Sequence, residues 1–220
     1  MRRLEDLLSD DPAWPAVQGW IANASNPVTV LEARDPDRSR ALEVLQVTTR
    51  SPMGAVVYET GGLLIDRGWL RVLGSGHPRL PRTLPDWNRG RTWIEADAAP
   101  PILLVGDDVI GGSFAINGGA LPGAPGHVHY FAPDSLAWES LDRGYGDFLR
   151  WALSGDLAMF YGNHRWPGWT ADVDALPGDK AFSFYPPLWA QAEERSRFPV
   201  PMAELFSLQF DTRRQMDEGR

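Results

Sequence analysis

Two imidazoles stand one residue apart in His127-Val128-His129. In an extended segment, side chains two apart share a face, so the pair could grip a metal ion. No third ligand lies in any local motif; His164 or an aspartate would have to be delivered by the fold. The pair therefore reads as solvent-facing hairpin histidines, and no metal or other cofactor is assigned. Carboxylates cluster at Asp107-Asp108 and in the group Asp134, Glu139 and Asp142. Two of them in one cleft could divide acid and base roles, although turn and cap positions account for them more simply. There is no Gly-x-Ser-x-Gly elbow, no P-loop and no His-Glu-x-x-His. The chain has no cysteine, which removes disulfides, thiolate nucleophiles and thiolate metal sites together.

The most distinctive constellation is aromatic and cationic: Tyr161, then Arg165-Trp166-Pro167-Gly168-Trp169. Trp and Arg dominate interface hot spots because they combine large desolvated area, cation–π stacking and forked hydrogen bonding. Arg165, Trp166, Trp169 and Tyr161 are accordingly the expected binding residues. The competing reading is that the rings cover the core with Arg165 stacked over one of them. Trp87 and Asn88, after Pro85-Asp86, are expected to border the same cleft, with a structural role as their alternative.

These groups need elements to hold them. Asp10-Asp11-Pro12 predicts a helix start, with Trp14, Val17, Trp20 and Ile21 on one face. A short extended piece at 28–31 follows. Asp35-Pro36-Asp37 leads into a second helix with Leu42 and Leu45 inward, and Ser51-Pro52 opens a third that Gly61-Gly62 stops. The period then becomes strand-like at 63–66, 68–73, 102–105, 112–117, 127–131 and 138–141. The glycine-rich stretch 118–126 predicts an antiparallel hairpin. A helix is predicted over 145–153, with Phe148, Leu149, Ala152 and Leu153 on one side. The last third is aromatic and less regular until a closing helix begins after Pro199, turning Met202, Leu205, Phe206 and Gln209 inward. Beyond Asp211 the tail is expected to fray. The sum is an α+β protein in one domain over 1–220, an antiparallel sheet flanked by helices with an aromatic-rich C-terminal extension.

Hydrophobic residues make up 43% and charged residues 23% of the 220 positions, ordinary values for a globular chain. Lys180 is the one lysine among 21 basic residues, a bias of the kind that high-GC genomes impose. The opening Met1-Arg2-Arg3-Leu4-Glu5-Asp6 meets acid before any apolar run, so no signal peptide is expected. No apolar run approaches the roughly 20 residues of a membrane span. A cytoplasmic location is expected, with no membrane partner. The formal net charge of −8 opposes nucleic acid and suits a basic partner.

Segments 62–76, 126–139 and 161–169 resemble a bacterial family catalogued as a domain of unknown function, number 2625, and the resemblance covers nearly the whole chain. A looser likeness is to the SUKH superfamily, the Smi and Knr fungal proteins and their relatives. It is carried by a small-residue strand at 112–117, an aromatic-ended strand running into Pro133-Asp134, Trp138-Glu139, and the helix start Tyr145, Asp147-Phe148-Leu149. That likeness implies a SUKH-like fold and a non-catalytic protein-binding module, an immunity or regulatory protein with a toxin-like or regulatory partner. The alternative is a hydrolase or small-ligand enzyme using His127, His129 and nearby carboxylates.

Overall fold

Antiparallel strands can be joined by short connections, and residues 102–144 run through four strands in this way without a crossover. The computed structural model describes residues 1–94 and 99–218. Seven strands form one antiparallel sheet in sequence order: β1 (Val28–Glu32), β2 (Thr60–Ile65), β3 (Leu70–Leu73), β4 (Ile102–Asp108), β5 (Ser113–Asn117), β6 (His127–Ala132) and β7 (Ala137–Gly144). A second, two-stranded antiparallel sheet follows, β8 (Lys180–Tyr185) with β9 (Ser196–Pro201). The helices are α1 (Leu4–Leu7), α2 (Trp14–Ala22), α3 (Asp37–Leu45), α4 (Pro52–Glu59), α5 (Leu84–Asn88), α6 (Tyr145–Ser154), α7 (Leu157–Tyr161), α8 (Trp169–Ala175) and α9 (Met202–Glu218). The architecture is thus mixed α+β.

Strand alternation sorts side chains onto two covered faces. On one, Phe114 and Tyr130 lie opposite each other across β5 and β6 and meet Phe148 and Trp151 of α6 and Phe160 of α7. On the other, Phe131 and Trp138 pair across β6 and β7 and pack on Phe210 of α9. Phe206 joins Trp87 of α5 to the same layer. The expected inward residues of α6 and α9 are all buried.

Several expectations are corrected. The first long helix starts at Trp14, with Ala13 rather than an aspartate at its cap and Pro15 in its first turn. The third ends at Glu59; Gly61-Gly62 sit inside β2 instead of stopping a helix. A Cβ at Gly61 would run into the Gly76 carbonyl and the His77 side chain, so glycine serves close packing there. The aromatic third is more regular than its sequence suggests, containing α7, α8 and the β8–β9 hairpin. The tail past Asp211 is helical to Glu218, where Arg213 pairs with Asp217 and donates to the Leu136 carbonyl. No helix among the described residues is long and apolar enough to cross a membrane.

Candidate functional site

Asp107 and Asp108 close β4 and are both buried, which corrects their reading as surface turn residues, although the Asp108 side chain does cap the turn that follows by accepting from the N–H groups of Ile110 and Gly112. A buried carboxylate must be paired or neutralised. Asp107 lies 2.7 Å from Arg71 Nε and forms a two-pronged ion pair with Arg82. The same guanidiniums donate onward: Arg71 to the carbonyls of Lys180 (2.6 Å) and Asp108 (3.0 Å), Arg82 to that of Gly178 (2.9 Å). This triad fastens the start of β8 to the large sheet. A backbone bond from Phe182 N–H to the Val109 carbonyl (2.7 Å) continues the seam.

Asp108 points to the opposite face. Its carboxylate accepts from the Tyr130 hydroxyl (2.7 Å) and from the N–H groups of Gly112 (2.8 Å) and Ile110 (3.0 Å). Burial outweighs these bonds and pushes its pKa up to about 6. Glycine at 112 serves this close contact, because a methyl group there would run into the Asp108 carboxylate and the Tyr130 hydroxyl unless they shifted. Burial and the Asp108 charge raise Tyr130 and Tyr161 well above the ordinary phenol range, so both phenols keep their protons.

Around this floor the structure assembles Tyr161, Arg165, Trp166 and Trp169. The Arg165 guanidinium lies 4.5 Å from the Trp169 ring centre, 5.1 Å from that of Trp69 and 5.8 Å from that of Tyr161, and it pairs with Asp66. Its side chain is only 16% exposed. The expected alternative of Arg165 stacked over one ring is therefore exceeded: three rings cage it. Asp66 and Arg67 hold positive φ values of 52° and 63°, a strained conformation for non-glycine residues. That turn sends Asp66 to Arg165 and Arg67 to Asp174, bracing the 162–176 segment at two points. Trp166 donates its indole N–H to Asp172 (2.7 Å), which also accepts from Arg197 (2.8 Å). Arg197 in turn lies 4.3 Å over the Trp166 ring.

The outer side of this cluster faces a hollow of about 410 Å³, walled by His164, Arg165, Trp166, Arg195, Arg197 and Asp134 among others. His164 donates from Nδ1 to the Tyr161 carbonyl (2.8 Å), which leaves Nε2 toward Asp134 at 3.5 Å. That carboxylate holds the imidazole above its ordinary pKa, and the imidazole holds Asp134 below its own. Phe184 and Leu188 line this hollow and also a neighbouring apolar one of about 230 Å³, so the two adjoin across those side chains. Tyr185, Phe198 and Leu208 line the apolar part while remaining 71%, 49% and 51% exposed.

Trp87 and Asn88 do not join this cleft. Trp87 is buried against Phe206 with Arg82 and Arg91 over its ring, and it lines a different hollow. Asn88 is buried with its amide fully used: it donates to the Leu84 and Leu104 carbonyls and accepts from Leu104 N–H and the Thr92 hydroxyl. It is a latch between α5 and β4. The histidine pair also separates. His129 is buried, with Nε2 2.9 Å from the Pro122 carbonyl, rather than solvent-facing, whereas His127 sits 3.9 Å from Asp142. The two imidazoles share no third ligand, and among the described residues no group of three His, Asp or Glu side chains is placed to hold a metal. Glu139 accepts from the Ser135 hydroxyl (3.4 Å) and Asp142 from that of Ser140 (2.8 Å). Arg195 and Arg197 escaped the sequence reading, yet their spacing of two at the entry to β9 is a signal that both face one side.

Fold and site define a mixed α+β protein with a seven-stranded meander sheet and an arginine- and aromatic-lined cleft at its C-terminal hairpin. The chain belongs to the family described as "Protein of unknown function DUF2625", whose model matches residues 4–205. It is 49% identical over 212 residues to the "Putative uncharacterized protein YbfG" of Escherichia coli (strain K12), covering 96% of each chain. To an "Uncharacterized protein" of Haemophilus influenzae (strain ATCC 51907 / DSM 11121 / KW20 / Rd) it is 46% identical over 189 residues, 86% of this chain and 83% of that one. No solved structure matches.

Proposed function

We propose that this chain is a cytoplasmic, SUKH-like, non-catalytic protein-binding module with an immunity or regulatory role, and that the two-part cleft is its recognition surface. The observation that carries this reading is the placement of three exposed apolar side chains, Tyr185, Phe198 and Leu208, around one hollow that shares Phe184 and Leu188 with the adjoining hollow walled by Arg165, Arg195 and Arg197. Exposed apolar groups scattered singly mean little; gathered round a concavity and rimmed by guanidiniums they have the make-up of an interface hot spot. The SUKH part of the reading is supported by the order of its motif residues, which fall consecutively on β5, β6, β7 and the first turn of α6.

The test is affinity capture with the purified wild-type chain beside the Arg195→Glu and Tyr185→Ala variants, each checked for an unchanged circular dichroism spectrum. A stoichiometric partner held by the wild type and released by both variants is the expected outcome. Equal retention by all three would move the interface elsewhere.

A further inference from the structure

The chemistry of the cleft narrows what part of a partner can enter it, an inference that rests on the protein-binding reading. The chain as a whole is acidic, with a formal net charge of −8. The polar half of the cleft departs from that average: its three guanidiniums and the Asp134-held imidazole are matched by four carboxylates, Asp134 and Glu193 in the lining and Asp66 and Asp172 behind it, so the charges there balance. Asp134 is occupied by His164, and Glu193 lies exposed on the loop before Arg195.

The guanidiniums differ in what they have left to offer. Arg165 is committed to Asp66 and its three rings. Arg197 makes one bond to Asp172 and stays about a third exposed at 31%. Among the described residues Arg195 donates to two backbone carbonyls, Ala190 (2.5 Å) and Ala192 (3.0 Å), and its buried Nε finds no hydrogen-bond partner there. It is thus a cation that no carboxylate of the described residues pairs with, sitting beside a second guanidinium that makes one bond, to Asp172. Such a pair is complementary to a carboxylate, which it can take in a forked, charge-assisted arrangement.

Antiparallel pairing leaves β9 one outer edge, and Pro199 and Pro201 bring no N–H to it, so an incoming strand would find its ladder broken. We infer that the cleft receives an acidic side chain of a polypeptide partner at Arg195 and Arg197, with an adjacent apolar side chain seated against Phe184, Leu188 and Leu208.

The probe is the blocked peptide acetyl-Phe-Glu-Leu-Gly-amide, titrated into the isotope-labelled full chain and followed by amide and indole NMR shifts, beside the same peptide with glutamine for glutamate. The glutamate peptide is expected to shift the signals of Leu188 and Arg195 and to bind at least about tenfold more tightly than the glutamine peptide, the scale of one charged hydrogen bond. In Arg195→Gln that preference should shrink to within about twofold, since the coupling between the two groups is gone. Equal binding of both peptides, or no shift in the cleft from either, would overturn the inference. Capture of a partner that the cleft variants release, without any preference for the acid, would refute this step and leave the binding reading standing; capture insensitive to those variants would end both.

Discussion

Asp107 and Asp108 are consecutive in the chain and face opposite sides of the sheet, the first clamped by Arg71 and Arg82, the second by Tyr130 and two backbone N–H groups. Each fixes one wall of the cleft. Asp107 works through arginines that reach the carbonyls of Gly178 and Lys180 and so locate the β8–β9 hairpin. Asp108 anchors Tyr130, whose ring supports Phe160 beside Tyr161.

Breaking the first clamp strands two buried guanidiniums. Asp107→Ala is expected to cost about 3–5 kcal/mol, the usual penalty for removing one partner of a buried ion pair. Urea titration reads the total. Hydrogen exchange reads the mechanism: amides of β8 and β9 should lose protection before those of β5 and β6.

The second clamp sets a pH dependence whose sign is fixed. The folded pKa of Asp108, about 6, stands above its ordinary value of 3.8, so the native state holds this proton longer than the unfolded chain. Its contribution is fully present below about pH 4 and is lost as pH rises through about 6, up to about 3 kcal/mol for a shift of about two units. His164, raised by Asp134, acts in the same direction, with loss as pH rises through its elevated pKa. Asp108→Asn keeps an acceptor for the two N–H groups and should flatten melting temperature between pH 4.5 and 6.5. An unchanged slope would assign the dependence to other groups.

Much of the architecture behind these effects is legible in the sequence, and the reason is periodicity. Met202, Leu205, Phe206 and Gln209 fall at helical spacing and are buried together; so are Phe148, Leu149, Ala152 and Leu153. The Asp107 clamp is not legible, because nothing local marks a charge whose partners, Arg71 and Arg82, arrive from another strand and a loop. His129 is hidden for the same reason: the Pro122 carbonyl that buries it comes from the glycine-rich connection. Of the candidate site, Arg165, Trp166, Trp169 and Tyr161 were visible as an unusual cluster, whereas Asp66, which holds Arg165, sits in a turn that no pattern links to them. Burial in Trp87 and Asn88 followed from the same blindness, since α5 docks on β4 through an amide that looks exposed in sequence.

Gly112 tests the close contact under the cleft. Gly112→Ala forces a methyl against the Asp108 carboxylate and Tyr130 hydroxyl and is expected to destabilise the fold by about 1–3 kcal/mol. A thermal melt of that variant beside Gly144→Ala, a position with open space around it, separates the collision from any general effect of replacing glycine.

Arg165 and Arg195 should part company in stability. Arg165→Ala empties the space among three rings and leaves Asp66 without its ion-pair partner, an expected loss of about 2–4 kcal/mol. Arg165→Lys should recover only part of it, because an ammonium cannot lie flat between rings. Arg195→Gln, which breaks no ion pair, should stay within about 1 kcal/mol of the wild type. Chemical denaturation of the three variants distinguishes the brace from the surface.

The central claim, that the cleft between Arg195 and Leu208 is where a partner binds, is tested most directly by placing a photo-crosslinking amino acid at Leu188, at Leu208 and, as a remote control, at Val30 of β1. Irradiation in living cells should join the same partner protein to the chain from positions 188 and 208 and not from 30. Crosslinks that arise from position 30 as readily as from the cleft, or from neither cleft position, would contradict it.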